Sequence, residues 1–264
     1  MKPGKIGRTL IGLIVFTLAV PAWAITNGMD VPNGAYPFVA TVKIDGFATG
    51  HTCAGTLIAP RLVLTHPVCL ASGNGEVPAG DISVAVGRTV ISDASQGQVR
   101  RVAKVHSELS TGGIFEVTVL ELATPVNGIE PVSLVASGSG DFQEHGQELY
   151  MIGWGETRLS LDAPFSDKLQ FARMNVDNQV CEFSGAVMCA TGQNGARVAC
   201  IFDHGDPLFV ENTPPQQPRF VQVGMASPGW GIRCESPGPG DRFRRLGHPE
   251  IANYLANLIA MTPR

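Results

Sequence analysis

Short apolar runs separated by turn-forming residues dominate the chain beyond residue 24. Phe38–Ile44, Thr56–Ile58, Leu62–Leu64, Ile82–Val86, Val117–Leu120, Leu149–Ile152, Leu208–Val210 and Phe220–Val223 are each of strand length, and glycine and proline clusters divide them. That spacing predicts the antiparallel strands of a barrel or sandwich. One segment differs. After His248-Pro249, residues Ile251, Tyr254, Leu255, Leu258 and Ile259 fall at i, i+3, i+4, i+7 and i+8, the stripe of an amphipathic helix. Pro249 suits its first turn, where the missing N–H has no helical acceptor to lose. The pattern predicts an all-β protein closed by a C-terminal α-helix over about 249–261.

Residues 1–24 read as a separate signal. Lys2, Lys5 and Arg8 precede the apolar run Leu10–Val20, and Ala22-Trp23-Ala24 offers small residues at the cleavage positions. This is the layout of a secretory signal peptide. The run falls short of the roughly 20 residues that a membrane-crossing helix needs, so cleavage after Ala24 is expected. It leaves an exported protein, periplasmic or secreted, with no membrane attachment. An uncleaved anchor is the alternative.

Composition narrows the functions. The 264 residues include 31 glycines and 19 prolines, 16% are charged, and the formal net charge is −4. Frequent turns and few long helices follow, and the chain has no basic footprint for nucleic acid. All six cysteines (Cys53, Cys69, Cys181, Cys189, Cys200, Cys234) lie beyond the signal segment. An even count in an oxidising compartment predicts disulfides whose pairing sequence arithmetic leaves open. No two cysteines stand at zinc-knuckle spacing, and neither a metal nor a cofactor is expected.

Local strings then become specific. Cys53-Ala-Gly-Thr-Leu-Ile58, followed by Cys69, resembles the first disulfide loop of trypsin-like serine proteases. Ile25-Thr-Asn-Gly28 is similar to that family's mature N-terminus, and Val117–Leu122 to the strand after its catalytic acid. Gly153-Trp-Gly155 is similar to a turn of its second barrel, and Cys200–Pro207 to its nucleophile loop. The resemblance spans essentially the whole chain after residue 24. It implies two packed antiparallel six-stranded β-barrels with a C-terminal α-helix: barrel 1 over about 25–135, barrel 2 over about 136–247, the helix over about 249–261, all in one domain 25–264. It also implies the pairs Cys53–Cys69, Cys181–Cys189 and Cys200–Cys234.

The resemblance assigns catalytic positions that this chain fills with other residues. The general-base position, directly before Cys69, holds Val68, which has no lone pair to take a proton. The acid position holds Glu116. The nucleophile position holds His204, which has no hydroxyl to acylate, and the oxyanion-loop glycine is replaced by Phe202. A side chain there strains a conformation suited to glycine and puts the oxyanion hole in doubt. His66, two residues before Val68, is expected to point elsewhere, as a surface or second-layer histidine.

Structural features of the family are kept. Asp203 occupies the position that receives the free amine of the mature N-terminus, here Ile25 once the signal is removed. The base of the primary specificity pocket is matched by Val198, and the substrate-pairing strand by Ser227-Pro228-Gly229, which predicts an apolar residual cleft. Asn212–Arg219 and Pro228–Gly240 are candidate recognition loops. The expected function is an exported, catalytically inactive homologue that binds a protein or peptide partner through loops around the former cleft. The alternative is a serine endopeptidase with weak activity or a rebuilt site. A metal site of His204 with Glu116 or Asp206 is a further possibility without a spacing signature.

Overall fold

The computed structural model describes residues 25, 28–46, 53–72, 75–109, 116–155, 166–177, 179, 185–192, 198–199, 203–212, 217–227 and 240–263. The signal segment, Cys181, Cys200, Phe202, Pro228, Gly229 and Cys234 lie outside them, as does the Glu116 side chain.

Two closed barrels of six antiparallel strands form the body, as the resemblance implies. The first runs in spatial order Val39–Ile44, Cys53–Ala59, Leu62–Thr65, Glu116–Leu122, Gln98–Leu109 and Ile82–Val86, which returns to Val39–Ile44. The second runs Gln170–Val176, Glu148–Gly153, Pro207–Glu211, Phe220–Ala226, Asp241–Arg245 and Val187–Gly192, closing on Gln170–Val176. Closure removes the unpaired edges that an open sheet exposes. A short strand Met29–Asp30 pairs with Gln170–Phe171 on the outside of the second barrel.

Side-chain alternation decides which core each strand serves. Ala40, Val42 and Ile44 point into the first barrel with Leu57, Val63, Leu120 and Leu122. Their neighbours Val39, Leu62, Leu64, Val117 and Val119 join the larger cluster that fills the second barrel, with Leu149, Met151, Trp154, Met188, Phe209 and Phe243. Both faces of these strands are buried, so Leu62–Leu64 reads as an unbroken apolar run instead of an alternating one.

The helix spans Pro249–Met261 and lays Ile251, Leu255 and Leu258 on the second barrel's cluster. It ends at Thr262, whose backbone N–H (3.0 Å) and Oγ1 (2.8 Å) both donate to the Leu258 carbonyl, satisfying an acceptor the last turn leaves open. Among the described residues no helix is long and apolar enough to cross a membrane.

Cys53 and Cys69 are joined, with Cα atoms 5.7 Å apart. Cys189 is also disulfide-bonded, to a cysteine outside the described residues. The first bond closes a loop of about 15 residues, which constrains the unfolded chain by about 3 kcal/mol. Cys53→Ala with Cys69→Ala should lower the urea-unfolding free energy by about that amount. An unchanged midpoint would mean that packing alone holds the ends of the loop.

Candidate functional site

The turn that carries His204 is built by close approach between the barrels. Gly205 has φ 87°, and a Cβ on it would overlap the Ala54 carbonyl and sit 2.8 Å from Thr65 Oγ1. A hydrogen is all that fits, and the left-handed conformation favours glycine as well. Thr65 Oγ1 itself donates to the Ala54 carbonyl (2.7 Å). The Gly205 N–H donates to the Ala226 carbonyl (3.1 Å), and the Ala226 N–H to the Asp206 carbonyl (2.8 Å). Cys69 Sγ lies 3.7 Å from the His204 carbonyl oxygen. The turn is thereby fixed to the Phe220–Ala226 strand on one side and to the first barrel on the other.

Val68 stands on a single 3-10 turn, Pro67–Leu70, that begins at His66. Its backbone N–H donates to His66 Nδ1 (3.2 Å). This capping bond turns the His66 ring inward. The ring is buried, with Nε2 3.1 Å from Ser227 Oγ and its centroid 5.0 Å from that of His204. The expectation of a histidine turned elsewhere is corrected here: the cap draws the imidazole to His204 and Ser227.

Chemistry follows from that cap. A nitrogen that accepts an N–H carries no proton, so neutral His66 has its proton on Nε2 and donates to Ser227 Oγ. A base that activates a hydroxyl needs the opposite polarity, with a bare Nε2 accepting from the hydroxyl. Ser227 and His66 are thus within hydrogen-bond reach but ordered the wrong way for nucleophilic attack. His204 is buried and brings only a second imidazole.

Val198 and Ala199 are buried, and their N–H groups both donate to Asp241 Oδ2 (2.6 and 3.1 Å). Asp241 opens the strand Asp241–Arg245 and is itself buried. Val198, expected in the residual cleft, is thus held through its backbone by a buried carboxylate that the sequence reading did not name. At the base of the 212–219 loop, the Asn212 N–H and Nδ2 donate to the carbonyls of Arg219 and Pro218 (2.7 Å each). The Arg219 guanidinium pairs with Glu211 at 2.7 Å and lies over the Phe220 ring at 4.6 Å.

Ile25 and Asp203 are both fully buried. Ile25 belongs to the same apolar cluster as Trp154, and Asp203 lies against the adjacent Gly155, where a Cβ would overlap its Oδ1. Asp206 is equally buried and lies against Gly153 in the same way. Its carboxyl is pushed well above the usual 3.8, first by burial and then by the charge of Asp203 and a hydrogen bond to it. Among the described residues no three histidine, cysteine, aspartate or glutamate side chains converge as a metal site would require.

The sign of the resulting pH effect is fixed. Asp206 keeps a proton in the fold that it loses above about pH 4 when unfolded, so its stabilising contribution is complete at low pH and lost as pH rises. The loss runs at about 1.4 kcal/mol per pH unit until the folded group titrates. Asp206→Asn supplies a neutral side chain of the same shape. It should be more stable than the parent at neutral pH, with the gap shrinking on acidification; urea unfolding across the pH range measures it. A variant weaker at every pH would mean that the carboxyl is ionised in the fold.

Comparison with known proteins agrees with this architecture. Residues 25–246 match the family model described as Trypsin. A trypsin of Saccharopolyspora erythraea is 32% identical over 234 residues, covering 84% of this chain and 93% of its own. Glucanase inhibitor protein 3 of Phytophthora infestans is 31% identical over 226 residues, 82% of each chain. Glucanase inhibitor protein 1 of Phytophthora sojae is 29% identical over 243 residues, 89% of this chain and 85% of its own. With its two barrels, its helix and a family match over most of its length, the chain belongs to the trypsin family.

Proposed function

We propose that this chain is an exported, non-cleaving member of the trypsin family that binds a protein or peptide partner around the former cleft. The observation that carries the reading is the arrangement of His204, His66 and Val68. An imidazole stands at the nucleophile position, a valine at the base position, and the nearest histidine presents Nε2–H to Ser227. In another serine protease, loss of base or nucleophile alone costs about 10⁶ in kcat. Here both are replaced, and Phe202 replaces the oxyanion-loop glycine.

Three relatives bear the name glucanase inhibitor protein. A name that describes inhibition, on chains of this family, supports a binding role for the fold. The anchored base of the 212–219 loop supports it further, because a recognition loop gains affinity when its ends are already ordered. Export rests on the layout of residues 1–24, with cleavage after Ala24. The freed Ile25 ammonium then pairs with Asp203 in the buried site beside Trp154.

One contact favours the alternative of a rebuilt site: Ser227 Oγ lies within reach of His66. The two readings separate cleanly. A fluorophosphonate probe, which requires an activated hydroxyl, should leave the protein unlabelled, and peptide esters should not be turned over. Labelling lost in Ser227→Ala would establish the rebuilt site instead. Val68→His, His204→Ser and Phe202→Gly together should introduce slow probe reactivity, since they return base, nucleophile and oxyanion loop to a turn whose backbone is already held.

Mass sequencing of exported protein should begin at Ile25. Asp203→Asn in that form should cost about 3 to 5 kcal/mol, because it leaves the ammonium buried without its counter-charge. A variant that melts with the parent would sink the ion pair without touching the non-cleaving reading.

A further inference from the structure

One imidazole serves two contacts at the floor of the former cleft. His66 Nδ1 accepts the Val68 N–H (3.2 Å) and so caps the 3-10 turn Pro67–Leu70, while its Nε2 lies 3.1 Å from Ser227 Oγ. Backbone groups hold the rest of the turn: the Cys69 N–H donates to the His66 carbonyl (3.0 Å) and the Ala71 N–H to that of Val68. The capping ring is 5% exposed, and the ring beside it, His204, is 8% exposed. Serine, threonine, asparagine and aspartate are the usual caps, and none of them changes charge between about pH 5 and 8. An imidazole does.

Protonation of the ring has a consequence that depends on Nδ1 alone. With a proton on each nitrogen, imidazolium has no lone pair left to accept with, so Nδ1–H and the Val68 N–H become two donors aimed at each other. The cap must break. The charged ring also sits with its centroid 5.0 Å from that of a second imidazole, and a charge on His204 is opposed for as long as the first ring stays in place. Both effects drive the ring out of the interior. The elements packed against His66 bring further titratable and charged groups. The turn at 203–206 brings His204, with Asp203 and Asp206 set back against Gly155 and Gly153. The strand paired with Leu62–Thr65 begins at Glu116, and the Ser227 N–H donates to the carbonyl of Arg242, an exposed residue. These charges move the pH at which the ring takes its proton; none returns a lone pair to Nδ1.

We infer that His66 is a proton-operated latch: neutral, it caps the Pro67–Leu70 turn and closes onto Ser227 and His204; charged, it releases the cap and leaves the interior. The latch goes beyond the binding role proposed above and does not depend on it. Its effect reaches both sides of the cleft floor, because Cys69 lies in the capped turn and Ser227 follows Ala226, which is bonded to Gly205 and Asp206. Acid loosens this floor while the Cys53–Cys69 bond keeps the turn tethered to its strand.

The test reads the amide-exchange protection factor of Val68 in the full-length chain, at pH values where the Leu62–Thr65 strand stays protected. Protection should be level near about pH 8 and fall about tenfold per pH unit once the ring takes its second proton, because opening then consumes one proton. Imidazole nitrogen NMR should show a bare His66 Nδ1 above that point and a protonated one below it. His66→Asn keeps a capping acceptor that does not titrate, and its Val68 protection should stay level over the same range. His66→Ala has no acceptor and should protect Val68 poorly at every pH. Level protection in the parent down to about pH 4, with the strand still protected, would overturn the latch. So would an equal fall in the parent and His66→Asn. If His66→Ala does not fold, the parent against His66→Asn still decides. Partner binding and probe reactivity enter none of these readouts, so the latch can fail while the binding reading stands, and the reverse.

Discussion

The Cα of Gly205 rests on the Ala54 carbonyl, and the space between the two barrels at that point admits a hydrogen and nothing larger. The placement of the whole site follows from this approach. It fixes where His204 sits, brings its carbonyl to the Cys53–Cys69 bridge, and sets the Asp203 and Asp206 side chains back against Trp154's glycines. None of these contacts involves a reacting group. The turn is a packing solution first, and the same backbone serves whether residue 204 carries a hydroxyl or an imidazole.

That separation of scaffold from side-chain chemistry lets a trypsin-family chain keep its architecture with valine at 68 and histidine at 204. Val68 is tolerated because the 3-10 turn it stands on is capped by His66 and needs nothing from residue 68 beyond its N–H. The cap has an electronic consequence: accepting that N–H fixes the proton on Nε2 and makes His66 a donor toward Ser227. One backbone hydrogen bond thus sets the direction of the contact between a histidine and a serine 3.1 Å apart.

Much of the fold was legible because buried strands must be apolar. The runs at Phe38–Ile44, Leu62–Leu64, Ile82–Val86 and Phe220–Val223 all lie in barrel strands or extend them. Gln98–Leu109 was not legible. Its valines stand at 99, 102 and 105, and a register shift between Val102 and Lys104 breaks the period of two. The signal of Asp241–Arg245 rests on one buried apolar residue, Phe243, with arginines around it. In the site, the approach of the 65–69 segment to the turn at 204 is found in the structure. The inward turn of His66 could not be read from the sequence, because it depends on a capping bond two residues away. Asp241 and Asp206 escaped for a related reason: an aspartate in a polar-looking loop gives no sign that it is buried until the facing glycines or N–H groups are known.

A buried carboxyl pair is a poor way to gain stability, since an amide at either position supplies the same shape without the cost of removing an acid from water. The room made for the two side chains is nonetheless specific: it needs a glycine on each side of Trp154, and any larger residue at 153 or 155 collides with a carboxyl. The two glycines and the two carboxyls therefore form one packing unit, in which a change at 153 or 155 must be matched by a change at the aspartate that faces it.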